Sequence, residues 1–371
     1  MRVAIAIAAA VASVRPAAAD VGSGSAAVGV GMFGGRPATT VDAGIDVAGG
    51  AWAVGIGGRV RWLAGEGVRR QDWDEPGDIA AVLRYLTYRR EPDGDGIAVA
   101  VAAGPLANAV LGHETVVGGL TTGLDVDHRH LGAQVRVAGA VAAGEALVDD
   151  VVAPRVIAAR GRLGGDRGAA FGATAAGDLE LGVAAVALDA EWRAAVAVPY
   201  VDLVAVVGRG VGAHAGVAVH ADAAGAAWRG VVEAYAASEG YVPGWFGPLY
   251  EVDRATPGGL AAAGGFGGRA SASVDADGLG RLALAYDRRR GRPDRLAVRL
   301  AAPYFARAQL AAWAAADVAR GGARAVAAEL RVELPAGLFA AGEAARVYRD
   351  AGGALEPLWL ATIAVGGALA L

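Results

Sequence analysis

The chain has 371 residues, of which 55% are hydrophobic, 6% aromatic and 19% charged, with a formal net charge of −4. So small a net charge excludes a polyanion-binding protein, which would carry a strong basic excess, and this hydrophobicity excludes a disordered chain. With 0 Cys there is no disulfide framework, thiolate metal site or cysteine nucleophile. All 34 basic residues are Arg, and Gly at 58 is about twice its usual share of ~7%. The Arg bias reflects a GC-rich genome and carries no functional content.

The first element is a targeting segment. Met1-Arg2 is a short positive region, Val3–Val14 is apolar apart from Ser13, and Ala17-Ala18-Ala19 offers small residues before Asp20. This layout predicts a secretory signal peptide over 1–19, removed to leave 20–371 as the mature chain. No membrane helix follows. A span needs ~18–20 nearly uncharged apolar residues. Ile97–Gly112 contains Pro105 and Asn108, Ala194–Val207 contains Pro199 and Asp202, and Leu358–Leu371 is too short.

Beyond the signal the recurring period is two. Leu131, Ala133, Val135 and Val137 alternate with His130, Gly132, Gln134 and Arg136. Val211–Ala221 alternates with Gly212, His214, Gly216, Ala218, His220 and Asp222. Leu282, Leu284 and Tyr286 oppose Arg281, Ala283, Ala285 and Asp287. In Arg295–Tyr304 the apolar face opposes Arg295 and Arg299, and in Arg324–Leu334 it opposes Glu329, Arg331 and Glu333. These are strands with one apolar face. Asp78–Arg90 and Ala306–Val318 alternate poorly, and the second is read as a strand because it lacks a helical stripe. Gly- and Asp-rich breaks such as Glu91–Gly96, Asp275–Gly278 and Arg289–Asp294 supply the turns.

Such alternation fits either a soluble sandwich or an outer-membrane barrel. Export, recurrence over most of the length and the last strand favour the barrel. In that strand Trp359, Ala361, Ile363, Val365, Gly367, Leu369 and Leu371 share one face. It resembles the C-terminal assembly signal of outer-membrane barrels, although it ends on Leu371 rather than an aromatic residue. At roughly 20 residues per strand and connection, the expected fold is an all-β, transmembrane, antiparallel up-and-down β-barrel of roughly 16–18 strands.

Two long connections, Ala107–Asp127 and Glu239–Arg269, stand out. They carry Leu111-Gly112-His113-Glu114-Thr115 and Pro243-Gly244-Trp245-Phe246-Gly247-Pro248-Leu249-Tyr250. With these residues the chain resembles the predicted outer-membrane barrel proteins of GC-rich Gram-negative bacteria of the myxobacterial type. The resemblance spans most of the mature chain and implies a fold and a location rather than a reaction. Each segment is expected to fold into the lumen as a constriction, to act as a surface recognition loop, or to form an ordinary surface loop whose aromatics pack on the barrel rim.

Candidates for chemistry are few. His128 and His130 are two apart, and on a strand they would share a face and begin a metal site. A solvated strand start is the simpler account, so no metal or other cofactor is expected. Ser238 beside Glu239 is the best nucleophile on offer and sits in no Gly-x-Ser-x-Gly elbow. No enzyme is therefore expected. The inward charges carry the most functional content. Strand parity directs Arg136, Arg160, Arg162, His214, His220, Arg281, Asp287, Arg295, Arg299, Glu329, Arg331 and Glu333 to the lumen, with Arg84 and Glu343 joining from less regular segments. Mixed signs predict weak selectivity.

The expected function is a porin-like passive channel for small polar solutes in the bacterial outer membrane. Its partners would be outer-membrane lipid, the barrel-assembly machinery and the solutes, with no nucleic acid. The alternatives are a plugged structural or adhesive barrel that binds a partner through extracellular loops, and a periplasmic or secreted β-sandwich.

Overall fold

The computed structural model describes residues 21–370, apart from 81, 93–95, 257–259, 261–262, 277, 306, 320–321 and 353. The expected signal segment 1–19 lies outside the described residues. In chain order the strands are β1 (Val21–Phe33), β2 (Arg36–Ala48), β3 (Trp52–Leu63), β4 (Gly67–Val68), β5 (Leu83–Arg90), β6 (Ala98–Gly104), β7 (Ala107–Val110), β8 (Gly118–Thr121), β9 (Gly132–Ala138), β10 (Ala142–Val148), β11 (Val156–Leu163) and β12 (Gly168–Asp178). Then come β13 (Val183–Arg193), β14 (Ala197–Val206), β15 (Gly210–Ala223), β16 (Ala226–Ala237), β17 (Gly265–Ala276), β18 (Gly280–Arg288), β19 (Arg295–Phe305), β20 (Ala308–Asp317), β21 (Arg324–Glu333), β22 (Leu338–Asp350) and β23 (Leu355–Ala370).

Leaving aside β4, β7 and β8, twenty strands pair antiparallel with their neighbours in chain order. β23 then pairs with β1, from Ser23 opposite Ala370 to Phe33 opposite Leu360, and closes the barrel. Closure matters physically because it leaves no strand of the wall with an unpaired edge facing lipid. The strand number exceeds the expected 16–18 because many hairpins close in two to four residues, such as 224–225 between β15 and β16. Ala308–Asp317 is a strand despite its poor alternation. Asp78–Arg90 divides into helix α1 (Pro76–Ala80) and β5. The β3–β5 register shifts between Gly55 and Ile56. That irregularity accounts for the mixed parity there.

Side chains sort by strand parity. Val28, Val30, Val41, Ile45, Ile56, Leu188, Leu203, Ile363 and Leu369 point outward and are exposed, Leu188 at 66% and Ile363 at 71%. No water-soluble fold would leave so continuous an apolar exterior. Trp52, Trp62, Trp192, Trp228 and Trp359 lie exposed on this outer face, at or within a few residues of strand ends except for Trp359. Aromatic residues near strand ends match the girdles of membrane barrels. No helix among the described residues is long and apolar enough to cross a membrane; the strands do the crossing.

The connections are unequal. At the end where Val21 and Ala370 lie, strands turn through short segments such as 49–51, 139–141, 194–196 and 224–225. At the opposite end run 64–82, 105–131, 149–155 and 238–264. Short turns on one side and long loops on the other are the periplasmic and extracellular asymmetry of outer-membrane barrels.

Candidate functional site: a plugged lumen

Both long connections fold into the barrel. In the first, β7 and β8 form a two-stranded hairpin apart from the wall. The second carries helix α2 (Tyr250–Ala255). They lock together through backbone: Gly244 N–H donates to Thr115 O (2.9 Å), Phe246 N–H to Val116 O (3.0 Å) and Gly118 N–H to Phe246 O (3.1 Å). The Glu251 carboxylate accepts from the N–H groups of Gly123, Leu124 and Asp125 at 3.3, 2.8 and 3.4 Å. The two loops thus form one plug rather than two independent constrictions.

The plug is dry where it meets the wall. Leu111, Val116, Val117, Leu120, Tyr241, Trp245, Phe246 and Tyr250 bury against Ala158, Ala176, Ala185, Ala187, Val204 and Val206. Across the lumen, Leu124, Val126, Leu249 and Val252 bury against Trp313, Ala315, Ala325, Ala327, Ala345 and Val347. The inner wall is therefore not uniformly polar or small-and-wet. Its Ala and Val residues leave room for a packed body and exclude water from it. Inner-face glycines serve the same fit. A Cβ on Gly212 would stand 2.3 Å from the Tyr241 ring of the plug.

Polar clamps surround this core. His113, at the hairpin tip, stacks on Tyr200 with ring centroids 3.8 Å apart and planes 1° apart. Its Nε2 lies 3.2 Å from Glu191 Oε2 and 3.6 Å from Asp189 Oδ1. Burial alone would push the His113 pKa down, but the adjacent Asp189 and Glu191 carboxylates outweigh it and hold the imidazole above its ordinary value. Tyr250 donates to Asp178 (2.7 Å), and Arg254 binds Asp178 (3.1 Å) and Glu180 (3.0 Å). Asp253 of α2 meets Arg295 at 3.0 Å. Glu114 of the tip forms an ion pair with Arg269 of the wall.

The residues that parity singles out have distinct surroundings. Arg160 donates to both oxygens of Asp189 (2.5 and 2.9 Å) and to Thr174 (3.1 Å). Arg162 reaches the Gly164 carbonyl (3.3 Å) and lies 3.8 Å from Glu191. Arg136 lies 3.6 Å from Glu145. His214 meets Glu233 (2.8 Å) and the Tyr241 hydroxyl (2.6 Å). His220 shares a cavity of about 590 Å³ with Arg136, Arg162 and Arg193. Arg84 approaches Asp46 (3.4 Å) and lines a second cavity of about 590 Å³. Glu343 binds Arg59 (2.8 Å). Glu329 and Arg331 border a small cavity of about 120 Å³ with Phe339, and Glu333 stands exposed at the end of β21.

Arg281, Asp287, Arg295 and Arg299 line a seam cavity of about 310 Å³ between the plug and strands β16–β19. Its plug side is Asn108, Glu114, Thr115, Pro243 and Trp245, and its wall side adds Arg229, Glu233, Arg269, Ser271 and Ser273. Sequence reasoning did not reach Asp189, Glu191, Arg269 or Glu114 as partners. Parity could have found the first two, since Val186, Leu188, Asp189, Glu191 and Trp192 alternate cleanly, with both carboxylates on the inner face.

Other expectations are corrected. His128 and His130 do not share a strand face; they lie in the loop before β9 and take separate partners. His128 Nδ1 meets Asp125 at 2.8 Å, a hydrogen bond that pushes its pKa up to about 9, whereas His130 Nδ1 meets Asp150 at 3.1 Å. The Ser238 hydroxyl is engaged by backbone, accepting from Val211 N–H (2.8 Å) and donating to Glu239 O (3.3 Å). His113, Asp189 and Glu191 bring ligand atoms within 4.8 Å of one another. Arg160 on Asp189 and Arg193 on Glu191 (2.7 Å) already neutralise both carboxylates. A cation placed among these guanidiniums would be repelled.

The fold and its exterior define a class: an outer-membrane β-barrel with a plug folded in from its long-loop end. No protein-family model matches the chain, and no curated protein matches it. Among solved structures it is similar to OccK3 (OpdO) of Pseudomonas aeruginosa, with 13% identity, a TM-score of 0.39, and coverage of 95% of this chain and 96% of that one. It is also similar to OccAB2 of Acinetobacter baumannii, with 6% identity, a TM-score of 0.36, and coverage of 95% and 98%. Wzi of Escherichia coli, an outer-membrane carbohydrate-binding β-barrel involved in group 1 capsule assembly, shows 11% identity, a TM-score of 0.36, and coverage of 93% and 83%. The class rests on this chain's own strand pairing and surface.

Proposed function

We propose that the protein is a porin-like passive channel of the bacterial outer membrane, with a narrow path for small polar solutes alongside the plug. The supporting observation is the seam cavity of about 310 Å³, which is lined by Arg, Asp, Glu and Ser side chains and runs beside an otherwise dry plug. Barrels of 16–18 strands leave an aqueous channel and wider transport barrels carry a plug. A twenty-stranded wall whose plug packs tightly on two sides and loosely on a polar third fits a restricted pore. Solutes would enter between the long loops and leave through the wider vestibule lined by His220, Arg136 and Arg162. Outer-membrane lipid surrounds the barrel in this reading, the barrel-assembly machinery inserts it after removal of residues 1–19, and no catalytic step is assigned.

Single-channel recording of the purified chain in a planar bilayer tests this. Small, discrete conductance steps are expected. A chain that inserts as β-sheet yet never conducts would overturn the channel and leave the plugged, partner-binding barrel.

A further inference from the structure

The apolar exterior is interrupted over β21 and β22. On these strands the inner face is fixed by Ala325, Ala327, Ala345 and Val347, all buried against the plug. Alternation therefore turns Arg324, Val326, Ala344 and Arg346 to the lipid side. Arg346 stands between Val326 on β21 and the exposed Trp359 on β23, each directly opposite it in register. Arg324 lies two residues from Val326, so the two arginines are diagonal neighbours, roughly 7–8 Å apart at the backbone. Both belong to the long-loop end, because β23 runs from Leu355 there to Ala370 at the short-turn end.

Arg346 donates to the Arg324 carbonyl (2.9 Å) and Arg324 to the Ala319 carbonyl (3.2 Å). Neither has a carboxylate within ion-pair distance among the described residues, whereas the nearby Arg349 is answered by Glu356 at 3.0 Å. Two uncompensated cations side by side at a lipid surface attract an anionic headgroup.

Beside them runs a groove one strand wide. From Arg346 towards the short-turn end, the outer face of β22 carries only Ala344, Gly342 and Ala340. Its flanks are taller: Leu330 and Val332 on β21, and Ile363 and Val365 on β23. From Arg346 to Ala340 the groove extends roughly 20 Å at the rise of a strand. The wall does not need a glycine here, because a Cβ on Gly342 would meet no atom within 4 Å. A glycine inside a strand weakens it and often marks a place that another body approaches closely.

We propose that this face seats one phosphate-bearing lipid of the surrounding membrane. Its phosphate lies between Arg324 and Arg346, and one acyl chain follows the groove along β22. Guanidinium forks match phosphate oxygens, and an apolar trench of this length suits a hydrocarbon chain. Trp359 at the same level is the kind of residue that marks headgroup depth. The seat is on the outside of the barrel and stands whether or not the lumen conducts.

Native mass spectrometry of the purified full chain in detergent, titrated with diphosphorylated lipid A, tests this. One molecule should bind saturably. Dephosphorylated lipid A should bind about tenfold more weakly or worse, the loss expected of a charge-assisted hydrogen bond. Arg324→Gln with Arg346→Gln should weaken lipid A by a similar factor. Gly342→Leu fills the groove and should weaken both lipids, whereas Arg288→Gln, at an exposed position of β18, should change neither. Heat-modified mobility confirms that each variant is folded. Equal binding of the two lipids, or an affinity that survives the double substitution, overturns the phosphate seat. If Gly342→Leu has no effect, the groove holds no chain and the lipid is overturned. A dimer that Gly342→Leu dissolves would give the groove to a second copy of the chain and also overturn it.

Discussion

Phe246→Ala separates the plug from the barrel. Phe246 is fully buried within the plug, 4.9 Å from the Tyr250 ring and joined to Val117 by backbone pairing, and it contributes nothing to the strand ladder of the wall. Truncating a buried Phe to Ala costs about 3–5 kcal/mol through lost burial and the remaining cavity. That cost falls on plug docking. Each 1.4 kcal/mol is tenfold, so the ratio of docked to undocked plug should fall by roughly a hundredfold or more. In single-channel records the variant should show frequent large openings that the parent rarely visits. Circular dichroism and heat-modified mobility should stay those of an intact barrel. An opening frequency within tenfold of the parent would refute the claim that dry packing holds the plug. Loss of barrel structure would refute the claim that wall and plug are energetically separate.

Three further outcomes follow from the same geometry. His113 has a raised pKa, so the tip clamp is fully present below the ordinary ~6.5 and weakens as pH rises through the higher folded value. Plug openings should therefore become more frequent as pH rises above about 6.5, and a His113→Gln variant whose response matches the parent would count against the tip clamp. Arg160→Ala leaves the buried Asp189 short of its bidentate partner and should cost about 3–5 kcal/mol in thermal or urea unfolding. Arg160→Ala combined with Asp189→Ala should cost less than the single change, and equal or greater loss would exclude the pair as the cause. On the outer wall Leu188→Arg should destabilise the bilayer-folded protein by about 2–4 kcal/mol, whereas His220→Arg in the wet vestibule should change stability little. Equal effects at the two sites would contradict a lipid-facing exterior.

Much of the wall was legible in the sequence for a local reason. Strand parity is set by residues two apart, so the outward placement of Trp359, Ile363 and Val365 needed no knowledge of the neighbouring strand. Parity failed where there is no strand: the two histidines at 128 and 130 precede their strand rather than belong to it.

The sequence by itself determined an all-β chain whose strands carry an apolar face suited to lipid, because alternation and turn residues are short-range signals. Only the tertiary structure decided that twenty strands close the ring and that two loops enter it as one plug. Those outcomes depend on contacts between residues far apart in the chain, such as Glu114 with Arg269 and Val117 with Phe246. No local pattern encodes them, because strand parity fixes the face a side chain takes and not the residue that meets it there.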